Sequence, residues 1–177
     1  MHNNTSVSIK NSVLSSDRYQ SLIKEISESN LDFTQQYPNR LFSDRKHQSW
    51  LLDYFQPLID EIENDTGYAL SIQQIFLGYE LPGAQFMFHR SHPAIAGVVV
   101  YSIDDFDDCK LTFLTDSQDA VDDYLWGQGN YTGVEFEFKA NQALVVMNEE
   151  QRRHWGFGRP EIQANRLKRS VWIYFGK

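Results

Sequence analysis

Gly78-Tyr79-Glu80-Leu81-Pro82-Gly83-Ala84-Gln85-Phe86-Met87-Phe88-His89-Arg90-Ser91-His92-Pro93 is the stretch on which the reading of this chain turns. Ile75, Phe76 and Leu77 lead into it as a strand, and Pro82-Gly83 makes a turn. A second short strand then delivers two imidazoles, His89 and His92, ahead of Pro93 and the apolar run Ala96 to Tyr101. Histidine is the commonest protein ligand for a transition metal and the natural acid/base at neutral pH. Strand alternation puts His89 and Ser91 on one side and Arg90 on the other. His92 shares a side with Arg90 unless the chain turns at Pro93. Imidazoles at a strand end, between Gly and Pro, read as a site; polar residues at a loop mouth are the plain alternative.

Outward from this stretch, strands are expected over 68–80, 84–89, 96–103, 109–114, 134–139, 142–148 and 168–175. Upstream, the pattern changes period. Ser15-Ser16-Asp17 can cap a helix whose stripe is Tyr19, Leu22, Ile23 and Ile26 and which ends near Ser29-Asn30. Residues 31–43 read as loop. Ser43-Asp44 then caps a second helix with the stripe Trp50, Leu51, Tyr54, Phe55, Leu58, Ile59 and Ile62. Pro57 should kink or split that helix, and Gly67 should end it. Residues 1–14 are a frayed start or a short edge strand. Between Asp116 and Gly133 lies a long acidic excursion with Tyr124, Trp126 and Tyr131, which is either a substrate lid or a solvated loop.

Several short strands with Gly and Pro turns point to a mainly β (α+β) fold, a double-stranded β-helix or jelly roll with N-terminal bracing helices. The expected organisation is one domain over 1–177, with residues 1–67 a mostly helical brace and 68–177 the jelly-roll core.

The chain has 177 residues and a formal net charge of -8, which argues against a nucleic-acid binder. After residue 150, however, seven Lys or Arg face a single acid, Glu161, which suits an anionic small molecule or a solvated face. The lone cysteine, Cys109, permits no disulfide framework and fits a reducing, cytoplasmic setting. The first residues carry no apolar leader, and no apolar run approaches the ~18 residues that would span a membrane.

Two more residues join the opening stretch. His154 follows the apolar strand Ala143 to Met147, and Arg169 begins the last strand. Distant histidines converge only if the sheet folds back on itself, as a jelly roll does. A guanidinium reaching the same cavity would grip a carboxylate with two parallel hydrogen bonds. His154 beside Trp155 also fits a packed turn, and Arg169 an ordinary strand-end cation, with Arg166 as fallback for the anion contact.

In this order of features the sequence resembles the iron- and 2-oxoglutarate-dependent oxygenases, more closely their prolyl-4-hydroxylase-like branch. Gly83 stands six residues before His89, with Tyr79 upstream. Val98 to Asp104 looks like that branch's Tyr-Leu-Asn strand, and Asp108 to Phe113 stands in place of its Gly-Gly-x-Leu strand. Ala140 to Met147 stands for its Gly-then-apolar strand, and Arg169 to Phe175 looks like its closing R-x-S-type strand. The resemblance covers roughly residues 72–176. It implies Fe(II) held by His89 and His154, and 2-oxoglutarate held by Arg169 with Tyr101 and Tyr79 beside it. The substrate would be a small molecule or a peptide, and no membrane or nucleic-acid partner is implied.

One position departs from the family. The family's metal is held by two His and a carboxylate, and here Ser91 stands where H-x-D has its Asp. A water or anion could fill the gap, as in the family's halogenases. Ser91, His92 or Asp104 could instead complete the set, or the metal could be absent. The alternatives are a metal-free or non-catalytic binding domain on the same fold, and a cupin-like metalloenzyme that does not use 2-oxoglutarate.

Overall fold

A computed structural model of the chain describes residues 5–37, 39–44, 49–84, 89–90, 95–114, 133–148, 154–157 and 167–176; in 5–6, 36–37, 89–90, 106–114, 133–136, 138, 148 and 154–157 it describes the backbone alone. The elements run β1 (Thr5–Lys10), α1 (Ser16–Glu28), β2 (Phe33–Tyr37), β3 (Arg40–Ser43), α2 (Ser49–Thr66), β4 (Ser71–Glu80), β5 (His89–Arg90), β6 (Ile95–Ser102), β7 (Phe106–Leu114), β8 (Gly133–Phe138), β9 (Gln142–Asn148), β10 (His154–Phe157) and β11 (Lys168–Gly176). Seven strands form one sheet in the order β1-β9-β6-β11-β4-β3-β2, and four form another in the order β5-β10-β7-β8. From β4 to β7 and again from β8 to β11 successive strands alternate between the two sheets. That alternation, with antiparallel pairing throughout, is the expected jelly roll.

The two faces of the large sheet bury different sets of residues. Leu77, Val99, Tyr101, Val145, Val171 and Ile173 lie against Leu22 and Ile26 of α1 and Leu51, Phe55, Ile59 and Ile62 of α2. The opposite face carries Phe42, Phe76, Val98, Val100, Leu144, Val146 and Trp172. A strand covered on both faces has no solvent side to make polar, so β6, β9 and β11 read as continuous apolar runs rather than alternating ones. Lys10 confirms the parity: Ile9 packs on the inner face, while the next residue reaches out to Glu61 at 2.6 Å and Asp65 at 2.9 Å on α2.

Both helices form as expected, and α1 begins at Ser15, whose hydroxyl accepts from the Arg18 amide at 3.4 Å. α2 departs from expectation, because Pro57 sits inside an unbroken helix. The proline ring lies on the exposed side. Its missing N–H would have reached the Asp53 carbonyl one turn back. That carbonyl instead accepts from the Arg18 guanidinium of α1, which also lies over the Tyr54 ring at 5.4 Å. Arg18→Ala should therefore lower unfolding stability by about 1 kcal/mol, read from the urea midpoint, and Pro57→Ala in that background should recover much of it. α2 ends where Gly67, at φ 73°, donates to the Glu63 carbonyl at 2.8 Å.

Three expectations need correction. Residues 31–43 are not a loop: β2 and β3 make a hairpin, turned by Asn39 at φ 59°, that extends the sheet beside β4. Ser43 does not cap α2; it ends β3, and its hydroxyl accepts from the Leu77 amide at 2.9 Å. β10, only four residues long and containing Gly156, was absent from the expected strands. The N-terminal portion is thus a brace of helices plus three added strands. Among the described residues no helix is long and apolar enough to cross a membrane.

Candidate functional site

The inner face of the large sheet is built as rungs, because residues opposite one another in antiparallel strands share a face. The first rung is Arg40 of β3, Glu80 of β4 and Lys168 of β11. All three are buried, at 1%, 0% and 0% exposure. The second rung is Phe42, Gly78, Ser170, Ser102 and Gln142. The third is Phe76, Trp172, Val100 and Leu144. One end of this face is therefore polar, and the third rung is apolar and aromatic.

The polar groups at that end bond to one another and to nearby backbone. Arg40 donates through Nε and Nη2 to the two Glu80 oxygens at 2.6 and 2.8 Å, and its guanidinium lies over the rings of Phe42 at 4.8 Å and Trp172 at 5.7 Å. Lys168 Nζ donates to the Asp105 carbonyl. Trp172 Nε1 donates to Ser170 Oγ at 2.9 Å. The indole fits only because position 78 lacks a side chain: a Cβ there would lie 2.8 Å from Trp172 Nε1.

Parity sends the expected cosubstrate residues, Arg169, Tyr79 and Tyr101, to the opposite face. Arg169 alternates with Val171, on the side of the helices. Its guanidinium makes a two-pronged ion pair with Asp104, Nε to Oδ2 at 2.9 Å and Nη2 to Oδ1 at 2.8 Å, and its amide meets Oδ2 at 2.8 Å. Hydrogen bonding to Asp104 raises the guanidinium's pKa above its usual value. Tyr79, opposite Arg169, packs on Phe33 with the rings tilted by 32° and their centroids 4.2 Å apart. Burial raises its phenol's pKa while Arg169 lowers it. Tyr101 packs edge-on against Phe55 of α2 at 4.8 Å, and its hydroxyl donates to Asn141 Oδ1 at 2.9 Å. Burial pushes its pKa far above the ordinary range. Asp104, a candidate third ligand, is engaged by Arg169 on that same outer side.

The two expected metal histidines lie on neighbouring strands. β5 pairs with β10, with Trp155 opposite His89 and His154 opposite Arg90. The backbones of residues 65 positions apart in sequence are thus one step apart in register. Ser91, His92, Arg166 and the acidic excursion lie outside the described residues. Among the described residues, no group of three His, Cys, Asp or Glu side chains is gathered as a metal needs.

No protein-family model matches the chain, and no curated protein matches it. Solved structures do. The chain superposes on the non-heme alpha ketoglutarate dependent carbocyclase SnoK from nogalamycin biosynthesis with a TM-score of 0.71 and 9% identity, over 98% of this chain and 80% of that one. The chain shares its fold. HygX from Streptomyces hygroscopicus, with nickel and 2-oxoglutarate bound, gives 0.69 at 10% identity over 97% and 83%. A Pseudomonas putida prolyl-4-hydroxylase gives 0.62 at 14% identity over 98% and 94%. At these identities the likeness establishes architecture, so the chemistry rests on this chain's own residues.

Lys168, and not the expected Arg169, shares the inner face with Ser170 and Trp172. The signal was parity: Trp172 and Ser170 face inward, and counting back by two from them reaches Lys168, not Arg169.

Proposed function

We propose that the chain is a 2-oxoglutarate- and Fe(II)-dependent oxygenase-type protein that binds the cosubstrate carboxylate through Lys168 rather than Arg169. The observation that carries this reading is the buried lysine beside Ser170 and Ser102, at the polar end of the inner face of the shared fold. A buried ammonium among hydroxyls suits a carboxylate, which it can meet as a charge-assisted hydrogen bond. The donor set fits a metal in part. Two imidazoles on adjacent strands are suitable transition-metal ligands, and the neutral Ser91 leaves the third place to water or an anion.

When bound, Fe(II) would supply oxygen activation for oxidation at a C–H bond. The chain's part is binding and exclusion. His89 and His154 would hold the metal, Lys168 would orient the cosubstrate, and the apolar rungs of Phe76, Trp172 and Val100 would keep water from that end. The substrate is a small molecule or peptide, and the whole chain acts as one cytoplasmic domain.

Ser91 also favours a second reading, a metal-free binding domain on this fold. Anaerobic titration with Fe(II) and then 2-oxoglutarate separates them. Saturable binding of both, a weak visible charge-transfer band and succinate release in air are expected of the oxygenase. Iron binding without 2-oxoglutarate binding would instead mean a cupin-like metalloenzyme. Binding of neither would leave the metal-free domain.

A further inference from the structure

We propose that Arg40 is a positioning residue whose task is to occupy Glu80, so that Glu80 does not capture Lys168. This rests on the reading of Lys168 as the carboxylate anchor. Glu80 stands between two cations, opposite Arg40 on one side and Lys168 on the other. Both its oxygens accept from Arg40, at 2.6 and 2.8 Å, in the planar two-pronged geometry that guanidinium and carboxylate favour. The guanidinium itself lies against the Phe42 and Trp172 rings.

The arrangement matters because of what each charge would do without the others. Within the rung, two cations flank one carboxylate. Take away Arg40, and Glu80 becomes a buried anion whose nearest countercharge in the rung is Lys168. A buried charge seeks a partner strongly. Lys168 has a flexible four-carbon stem and would swing to Glu80, and the bound dicarboxylate would then face a neutralised lysine and a competing carboxylate. Arg40 comes from the β2–β3 hairpin, which lies outside the eight strands of the jelly roll. The hairpin thus contributes to the site as well as to the edge of the sheet. Stability alone is a weak reason for such a pair, since apolar replacements of buried ion pairs are often neutral.

The test is calorimetric titration of 2-oxoglutarate into the full-length protein, anaerobically loaded with Fe(II). Arg40→Met should weaken binding at least about tenfold with Lys168 intact. Arg40→Met combined with Glu80→Gln should recover most of the loss, because no carboxylate remains to hold the lysine. Glu80→Gln alone should bind at least as tightly as the wild type, and it keeps the inference testable if Arg40→Met does not fold. A purely structural role predicts no recovery in the double variant, and that result, or weaker binding in Glu80→Gln, overturns the proposal. If Lys168→Met binds as the wild type does, the anchor reading itself fails and takes this inference with it. If Lys168→Met loses binding while Arg40→Met keeps it, only the inference fails.

Discussion

Lys168→Met should weaken 2-oxoglutarate binding about a hundredfold, on the order of 3 kcal/mol, the usual loss when one partner of a buried charged contact is removed. The loss should be selective. On the proposed reading a dicarboxylate would be held at two ends, at the metal and at the lysine, whereas 2-oxobutyrate lacks the far carboxylate. Lys168→Met should therefore bind 2-oxobutyrate as the wild type does, and the wild type's preference between the two acids should vanish. A general loss of packing would weaken both ligands together. Arg169→Ala is the counter-test. Its guanidinium pairs with Asp104 on the helix side of the sheet, so cosubstrate affinity should stay the same while stability falls by about 1 kcal/mol. The reverse pattern, with Arg169 essential and Lys168 dispensable, would require the start of β11 to turn over, and Trp172 and Ser170 would have to leave the inner face with it.

That one-residue question shows where the sequence was legible and where it was not. The jelly roll could be read because its central strands are apolar over their whole length and its chemistry-bearing residues recur in a set order. The neighbourhood of His89 and His154 was legible for the same reason: only a fold that returns on itself places β5 beside β10. Parity at the start of β11 was not. Lys168 and Arg169 are adjacent cations, both suited to a carboxylate, and a strand apolar on both faces gives no polar side to count from. The inward Trp172 supplies the reference, but knowing that it faces inward needs Gly78 under its indole and Ser170 beneath its N–H. The β2–β3 hairpin was hidden for a different reason. Pro38-Asn39 looks like a breaker in sequence, and Arg40 looks like a solvated charge, until Glu80 is seen to bury it. Pro57 misled in the opposite direction, since the rule that it breaks a helix assumes nothing else satisfies the carbonyl it leaves, and Arg18 does so from another helix.

Asn141→Ala should lower unfolding stability by about 4 kcal/mol. Asn141 turns the β8–β9 connection at φ 61°, a conformation that asparagine tolerates and alanine does not, worth about 1 kcal/mol. Its side chain also makes three bonds. Oδ1 accepts from the Leu14 amide and the Tyr101 hydroxyl, both at 2.9 Å, and Nδ2 donates to the Leu14 carbonyl at 2.8 Å. Each is worth about 1 kcal/mol, and truncation strands their partners in a largely dry region. The Asn141 carbonyl further accepts from Val13 at 3.1 Å, so this one residue ties the lead-in to α1 onto the sheet. Asn141→Gly separates the contributions: it loses the three bonds but keeps the backbone, and should cost about 1 kcal/mol less than alanine. Urea midpoints for the two variants should follow that order. Equal losses for alanine and glycine would mean that the turn carries no strain. A loss under about 1 kcal/mol for alanine would mean that α1 is held by its apolar face alone, through Leu22 and Ile26, and that its N-terminal tether is dispensable.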